Sequence, residues 1–430
     1  MSTIQVTDIS GLRGRVSLPG DKSISHRAVM ISSIAEGKSS VSNLLDGLDC
    51  RATIDAFSNM GIVITQGSDK AYTIEGKGLR GLTEPRSDLY LGNSGTTMRL
   101  LLGMLAGSGF RAVLCGDDSL SKRPMKRVTS PLRLMGAKIE GGDDGNLAPL
   151  IINPGRLGPI EYDSPVASAQ VKSAILLAGL YADGTTKVTE PYRSRDHTER
   201  MLRLFGADVT QERLSASVRG LDDSNLTSQR IVVPGDISSA AFFITLGIMA
   251  DDSEIILTSC GINPTRTGIL TVVERMGADV ELTNQNNGFE PYADIVIKSS
   301  SLKATKVTED EVPLLIDEIP LIALLGTAAE GTTVIEGCGE LRVKETDRVN
   351  SIVTNLKAMG ADIESEGDSI IIKGPCRLKG ASAESFGDHR TAMMMVIAGS
   401  VAEGTTTVND TECIATSFPD FMDTLRCLIP

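Results

Sequence analysis

SNMGIVI (58–64), RLMGAKI (133–139), RLFGADV (203–209), ERMGADV (274–280) and KAMGADI (357–363) are one phrase written five times, with its glycine at positions 61, 136, 206, 277 and 360. Successive glycines stand 75, 70, 71 and 83 residues apart. A tripeptide that recurs by chance keeps no such interval, so internal repetition governs the fold. The glycine suits the position just past a helix end, where a left-handed backbone closes the last turn. The alternation that follows it, Ala-Asp-Val or Ala-Asp-Ile, predicts a strand. A second phrase, the tail of an apolar helix running into Ala-x-Gly-Thr-Thr and a strand, is written six times: IAEGKSSV (34–41), LAGSGFRAV (105–113), YADGTTKV (181–188), MADDSEII (249–256), AAEGTTVI (328–335) and VAEGTTTV (401–408). Six copies in 430 residues give a unit of about 72. Each unit therefore reads as helices alternating with short strands, an α/β layer whose sheet must be covered by helices.

A larger symmetry lies over the repeat. LPGDKS begins at Leu18 and VPGDIS at Val233, an offset of 215, half the chain. The Pro-Gly pairs at these matched places, Pro19-Gly20 and Pro234-Gly235, predict chain crossings near 19–21 and 234–236. One domain of three repeats is then expected over 21–234, and a second of three repeats from 1–20 plus 235–430. Two similar halves on two short Pro-Gly segments suit hinge closure over a ligand.

Composition narrows the class. Lys+Arg 42 against Asp+Glu 55 leaves a net charge of −13, and the aromatics are only nine Phe and six Tyr, with no Trp. An acidic, aromatic-poor chain lacks both the cationic face and the stacking surfaces that nucleic acids require, and its core is expected to be aliphatic. No apolar run approaches the roughly 18 residues of a bilayer span, and MSTIQVTDIS has neither an apolar signal core nor transit-peptide character. Seven scattered cysteines, at 50, 115, 260, 338, 376, 413 and 427, form no CxxC pair. That pattern speaks against a disulfide framework or zinc site and suits a reducing cytoplasm.

The chemistry is expected at the helix starts. Asp21-Lys22-Ser23-Ile24-Ser25-His26-Arg27, Asn93-Ser94-Gly95-Thr96-Thr97, Ser168-Ala169-Gln170, Gly235-Asp236-Ile237-Ser238-Ser239, Asp317-Glu318 and Gly387-Asp388-His389-Arg390 each precede or open an apolar helix. Capping accounts for Ser238 and Thr97. It does not account for Lys22, Arg27 and Arg390, cations set where the helix dipole disfavours them. They make sense around an anion bound to the free amides. In SKRPMKRV, Pro124 is placed as a first helical residue with Arg123 and Arg127 at i,i+4; in LRVKETDRV, Lys344 and Arg348 share that spacing. Like charges so placed destabilise a helix by roughly 0.2–0.5 kcal/mol, and a bound phosphate or carboxylate reverses the sign. The alternative is a solvated helix end, with Glu345 and Asp347 as counter-ions. Arg195 and Glu199 are expected to pair along a surface helix containing His197. His26, one turn into its helix, reads as structural; Met393–Gly399 reads as helix core; Cys115 has no neighbouring base to make it a nucleophile.

PGDKSISHR (19–27), LGNSGTTMR (91–99), KRPM (122–125), SAQVKSA (168–174), RDHTE (195–199), NPTR (263–266), IDEIP (316–320), LRVKETDR (341–348), GDHR (387–390) and TSFPDF (416–421) together resemble, in order, the motifs of the 3-phosphoshikimate 1-carboxyvinyltransferase (5-enolpyruvylshikimate-3-phosphate synthase) family. The resemblance runs from about residue 10 to the C-terminus. It implies the family's fold, two similar domains, each of three βαβαββ units, forming an inside-out α/β barrel. It also implies the family's reaction, in the synthesis of chorismate and the aromatic amino acids. The enolpyruvyl group of phosphoenolpyruvate passes to the 5-hydroxyl of shikimate 3-phosphate through a tetrahedral intermediate, and phosphate is released.

On that resemblance, Lys22, Ser23, Arg27, Ser168, Ala169, Gln170, Arg195, Asp317 and Lys344 would meet shikimate 3-phosphate. Lys22, Asn93, Gly95, Thr96, Arg123, Gln170, Arg348, His389 and Arg390 would meet phosphoenolpyruvate. Asp317, Glu345 and Lys22 would be catalytic, Asp317 deprotonating the hydroxyl and Glu345 protonating the methylene carbon. The residues make matching demands. Two anionic substrates on an acidic protein need a local basic site, and two separately placed carboxylates can exchange the two protons. No metal or other cofactor is expected: there is no GxxxxGK[ST]. Ala169, where many members carry Ser, and Thr416, where many carry Lys, resemble the family's second, glyphosate-tolerant class. Gly95 points the other way, because Ala there is one route to tolerance. A monomer in the cytoplasm is expected. The rival readings are enolpyruvyl transfer to UDP-N-acetylglucosamine, whose enzymes carry a loop Cys where this chain has Asp118, and a non-enzymatic anion-binding scaffold.

Overall fold

The five phrase glycines all adopt positive φ, 87° at Gly61, 103° at Gly136, 95° at Gly206, 90° at Gly277 and 91° at Gly360, each directly after a helix C-cap. Only glycine enters that region without strain, which is why the phrase keeps it. The structure, a computed structural model, describes residues 2–68, 71–221 and 225–430. The chain divides into two compact units: Gly20–Val233, and Met1–Pro19 together with Pro234–Pro430. Each boundary falls one residue before the one read from the Pro-Gly pairs.

Within Gly20–Val233 the described residues form three four-stranded sheets of one pattern. In the first, Arg230–Val232 runs parallel to Glu36–Ser42, which pairs antiparallel with Tyr72–Lys77, itself paired with Val63–Gln66. An opening strand, a parallel neighbour and an antiparallel hairpin recur in the sheets centred on Ala112–Cys115 and Thr185–Thr189. A buried helix leads into each central strand: α1 (Lys22–Ile34), α2 (Gly95–Leu105) and α3 (Ala169–Gly179). These helices are buried nearly all round, and the polar side chains they carry, such as His26, Arg27 and Lys172, are enclosed with them. At Gly103 of α2, a Cβ would lie 2.8 Å from the Ala174 Cα of α3, so the missing side chain is what lets the two helices meet.

The other unit repeats the plan with α4 (Ile237–Met249), α5 (Ile319–Ala328) and α6 (His389–Gly399). Its first sheet is opened by Arg13–Ser17, parallel to Glu254–Gly261. Its last is incomplete. Ser382–Glu384 lies parallel to Thr406–Asn409, and the third strand is Thr3–Val6, from the other end of the chain. Five βαβαββ units are thus complete and the sixth is cut short, which is why one phrase occurs five times and the other six. Among the described residues, Phe242 and Phe243 of α4 pack in an aromatic knot with Phe418 and Phe421, near the C-terminus, with centroids 5.5–6.0 Å apart within the cluster. No helix among the described residues is long and apolar enough to cross a membrane.

Candidate active site

In Gly20–Val233 the starts of α1, α2 and α3 are tied together by side chains. Asp21 caps α1 by accepting from the Ile24 amide (2.9 Å), Ser94 caps α2 through the Thr97 amide (3.2 Å), and Ser168 caps α3 through the Val171 amide (3.5 Å). The sequence assigned capping to Thr97; the cap is Ser94, three residues earlier. His26 Nδ1 lies 2.7 Å from Thr53 Oγ1, which lies 2.7 Å from Thr97 Oγ1, joining α1 to α2. Gln170 at the start of α3 donates to Thr96 Oγ1 (3.0 Å) and accepts from Arg99 Nη1 (2.8 Å). Burial, then the charges of Lys22 and Arg27, hold the fully buried His26 imidazole well below its ordinary pKa, in keeping with a structural role.

Two arginines of this unit donate to neutral groups. Arg27 donates to Ser23 O (3.0 Å), Thr198 Oγ1 (2.6 Å) and Ser173 Oγ (2.8 Å). Arg123 donates to both the carbonyl and the side-chain oxygen of Asn93 and to Ser119 Oγ (3.2 Å). Lys22, the first residue of α1, pairs with Asp49. The helix expected from Pro124 begins instead at Lys126, after a Met125 N-cap. Arg123 therefore belongs to the preceding turn, and the i,i+4 pairing with Arg127 does not form on one helix.

Arg195 precedes the helix His197–Leu204. Its expected partner Glu199 is wholly buried and pairs with Lys172 (2.9 Å), so the Arg195–Glu199 surface pair is not formed. Lys172 also meets Glu190 (2.8 Å). Burial works against this ammonium, but Glu199 and Glu190 outweigh it and raise its pKa. Glu190 accepts from the Ser168 amide (2.9 Å) and Ser194 Oγ (2.7 Å), so one carboxylate fixes the segments carrying Ser168 and Arg195. Lys172, Glu190 and Arg99 escaped the sequence reading, although Lys172 and Arg99 stand inside quoted motifs.

The unit containing Pro234–Pro430 is organised differently. Asp236 caps α4 by accepting from the Ser238 amide (2.8 Å); Ser238 is thus the capped residue, not the cap. Asp388 caps α6, accepting from the Arg390 (2.7 Å) and Thr391 (3.1 Å) amides. Arg348 opens the helix Arg348–Ala358, capped by Asp347, while Lys344 closes the 3-10 turn before it, so their i,i+4 spacing is not a helical pair either. Arg348 is buried and donates to Asp388 Oδ2 (2.8 Å), Asp317 Oδ1 (3.2 Å) and Glu345 Oε2 (2.6 Å). Burial opposes its charge, yet Asp388, Glu345 and Asp317 together raise its pKa above the ordinary value. The two carboxylates expected to stand apart thus share one guanidinium. Arg390 donates to Ser238 Oγ (2.6 Å) and the Asp317 carbonyl (3.3 Å), and its Nε lies 3.7 Å from Asp317 Oδ1. His389, the first residue of α6, is buried beside it.

Elsewhere, burial and then Asp88 push the Cys115 thiol up in pKa, against a nucleophilic role. Among the described residues, no group of three or more His, Cys, Asp or Glu side chains is arranged to hold a metal ion.

A family model described as EPSP synthase (3-phosphoshikimate 1-carboxyvinyltransferase) matches residues 6–425. The 3-phosphoshikimate 1-carboxyvinyltransferase of Geobacillus kaustophilus (strain HTA426) is 53% identical over 426 residues, 98% of this chain and 99% of that protein. The protein of the same name from Bacillus cereus (strain B4264) is 53% identical over 428 residues, 99% of each. Among solved structures, EPSP synthase from Acinetobacter baumannii matches with a TM-score of 0.88 at 46% identity, over 99% of this chain and 98% of that one. The enolpyruvyl transferase NikO from Streptomyces tendae matches with a TM-score of 0.79 at 20% identity, over 99% and 96%, a likeness of fold alone.

Proposed function

The chain belongs to the EPSP synthase (3-phosphoshikimate 1-carboxyvinyltransferase) family, and from that premise we propose how its residues divide the reaction. The protein is a transferase of aromatic biosynthesis: it moves the enolpyruvyl group of phosphoenolpyruvate to shikimate 3-phosphate, both small anions. In the proposed division, Lys22, Ser23, Arg27, Ser168, Ala169, Gln170, Arg195 and Lys344 hold shikimate 3-phosphate. Lys22, Asn93, Gly95, Thr96, Arg123, Gln170, Arg348, His389 and Arg390 hold phosphoenolpyruvate. Asp317 orients the 5-hydroxyl and takes its proton as the oxygen attacks the central carbon of phosphoenolpyruvate. Glu345 delivers a proton to the methylene carbon. Loss of phosphate, with loss of a proton from the resulting methyl group, restores the double bond in the product. Lys22 sets a positive charge beside the charge that develops.

The observation that carries this reading is the Arg348 guanidinium, donating to Asp317 and Glu345 together. An acid that has just given up its proton is left as an anion, and a guanidinium 2.6 Å away stabilises that anion. The test is phosphate release from phosphoenolpyruvate in the presence of shikimate 3-phosphate. Release with UDP-N-acetylglucosamine and none with shikimate 3-phosphate would overturn the reading.

We further place the chain in the second, glyphosate-tolerant class, on Ala169 and Thr416. Gly95 bears on this: a Cβ there would stand 3.3 Å from Arg123 Nη1 and 2.9 Å from Arg99 Nη1, so tolerance has to arise without crowding at residue 95. Titrating glyphosate against phosphoenolpyruvate in the same assay decides it, and inhibition at low micromolar concentration removes the class assignment. A cytoplasmic monomer is the state we propose; the cysteines of the chain are all free thiols.

A further inference from the structure

The NPTR segment contains none of the residues assigned to substrate, yet its arginine is among the most enclosed charges of its unit. Arg266 lies in the turn between the strand Glu254–Gly261 and the helix Gly268–Arg275, with its side chain 3% exposed. The turn is fixed from inside. Asn263 Oδ1 accepts from the Thr265 amide (2.9 Å) and hydroxyl (2.8 Å), while Asn263 Nδ2 donates to Glu290 Oε2 (2.9 Å). Arg266 Nη1 reaches both carboxylate oxygens of Glu318, at 3.1 and 3.3 Å, and Nη2 lies 3.6 Å from Asp236 Oδ1, in the cap of α4.

Glu318 is wholly buried at the start of α5, next to Asp317. It also accepts from Ser238 Oγ, the hydroxyl to which Arg390 Nη1 donates, and that same Nη1 stands 4.0 Å from the Glu318 carboxylate. One buried anion thus has two arginines within reach, a near one from NPTR and a farther one from GDHR. A buried carboxylate deprived of its partner is strongly unfavourable and takes any cation it can reach.

We infer that Arg266 is a positioning residue for the transfer reaction: by neutralising Glu318 it keeps the Arg390 guanidinium from being captured by that carboxylate, leaving Arg390 to an anionic group of phosphoenolpyruvate. The inference rests on the proposed contact between Arg390 and phosphoenolpyruvate. Without Arg266, Glu318 draws Arg390 inward, away from Asp317 and the substrate. Removing the Glu318 charge as well removes the pull.

The experiment compares R266Q, R266K, the double variant R266Q/E318Q and the reference variant R390K in the phosphate-release assay, with each substrate varied in turn. R266Q is expected to raise KM for phosphoenolpyruvate by roughly tenfold or more while moving KM for shikimate 3-phosphate less than about twofold. The double variant is expected to regain most of the lost affinity for phosphoenolpyruvate. R266K keeps the charge without the planar fork, so it should fall between wild type and R266Q; it serves as the assayable variant if R266Q does not fold. Three outcomes overturn the inference. In the first, R266Q and R266K leave KM for phosphoenolpyruvate unchanged while R390K raises it, and the assignment of Arg390 survives. In the second, R266Q weakens both substrates and the double variant restores neither, making Arg266 a structural brace. In the third, R390K itself leaves KM for phosphoenolpyruvate unchanged, and the assignment of Arg390 fails together with the inference.

Discussion

Arg27, in the second turn of α1, and Arg348, the first residue of the helix Arg348–Ala358, lie in different units and are held in opposite ways. Arg27 donates to two hydroxyls and a carbonyl, partners that carry no charge of their own. Arg348 is fixed by three carboxylates, which more than cancel it. Arg123, fixed by Asn93 and Ser119, follows the first pattern. An arginine on neutral partners presents its charge to an incoming anion; an arginine on carboxylates governs the protons of those carboxylates. On the proposed assignments, the α1–α3 unit grips anions, and the α4–α6 unit moves protons beside its own anion contacts, Lys344, Arg348, His389 and Arg390.

The largest effect that can break this comparison is at Glu345. Glu345→Gln is expected to lower kcat by roughly 10²–10⁴-fold, the usual range for loss of a general acid, while calorimetric affinity for shikimate 3-phosphate stays nearly unchanged. A matching loss of affinity would make the carboxylate a structural partner of Arg348 and erase the contrast. Arg123→Ala tests the gripping side. Loss of a charge-assisted hydrogen bond of about 1.5–3 kcal/mol should raise KM for phosphoenolpyruvate roughly 10- to 100-fold, with kcat much less affected. If only the melting temperature falls, Arg123 serves the turn before Lys126 rather than the substrate.

The smallest effect is on stability. His26 lies among the cations of the gripping unit and its folded-state pKa is depressed by burial first, then by Lys22 and Arg27. Above the unfolded value near 6.5 both states are neutral and stability is at its full level. As pH falls below about 6.5 the unfolded chain binds the proton more readily than the fold, so stability declines by up to ~1.4 kcal/mol per pH unit from this residue. Thermal melts between pH 7 and 5.5 should show the decline, and His26→Gln should flatten it; an equally steep profile in that variant would place the pH sensitivity elsewhere.

Repetition made the architecture legible. A left-handed glycine after each second helix leaves a mark that survives whatever else changes in the unit, so five complete units and a sixth short of its hairpin can be counted by eye. The helix starts were legible as regions but not to the residue. Asp347 ahead of Arg348 is an ordinary cap that spacing alone passed over, and Met125 ahead of Lys126 gives no capping signal at all. Glu199 looked like a surface partner for Arg195 because local spacing says nothing of burial. The least legible features were the long-range charge pairs. Arg266 and Glu318 find each other only when separate repeats pack, and Lys172 and Glu190 only when a helix folds back on the strand that follows it; no local pattern of residues encodes either meeting.

The strands Thr3–Val6 and Arg13–Ser17 have one more consequence, for the order in which the chain can fold as it is made. Their partners are Thr406–Asn409 and Glu254–Gly261. Thr3–Val6 must therefore wait, with its edges unsatisfied, until Thr406–Asn409 has been made, and Arg13–Ser17 until Glu254–Gly261 has. The stretch Gly20–Val233 closes its own sheets once Arg230–Val232 emerges. Translation thus delivers one lobe with its sheets closed early and keeps two preceding strands as a loose thread, sewn in one after the other as their partners arrive.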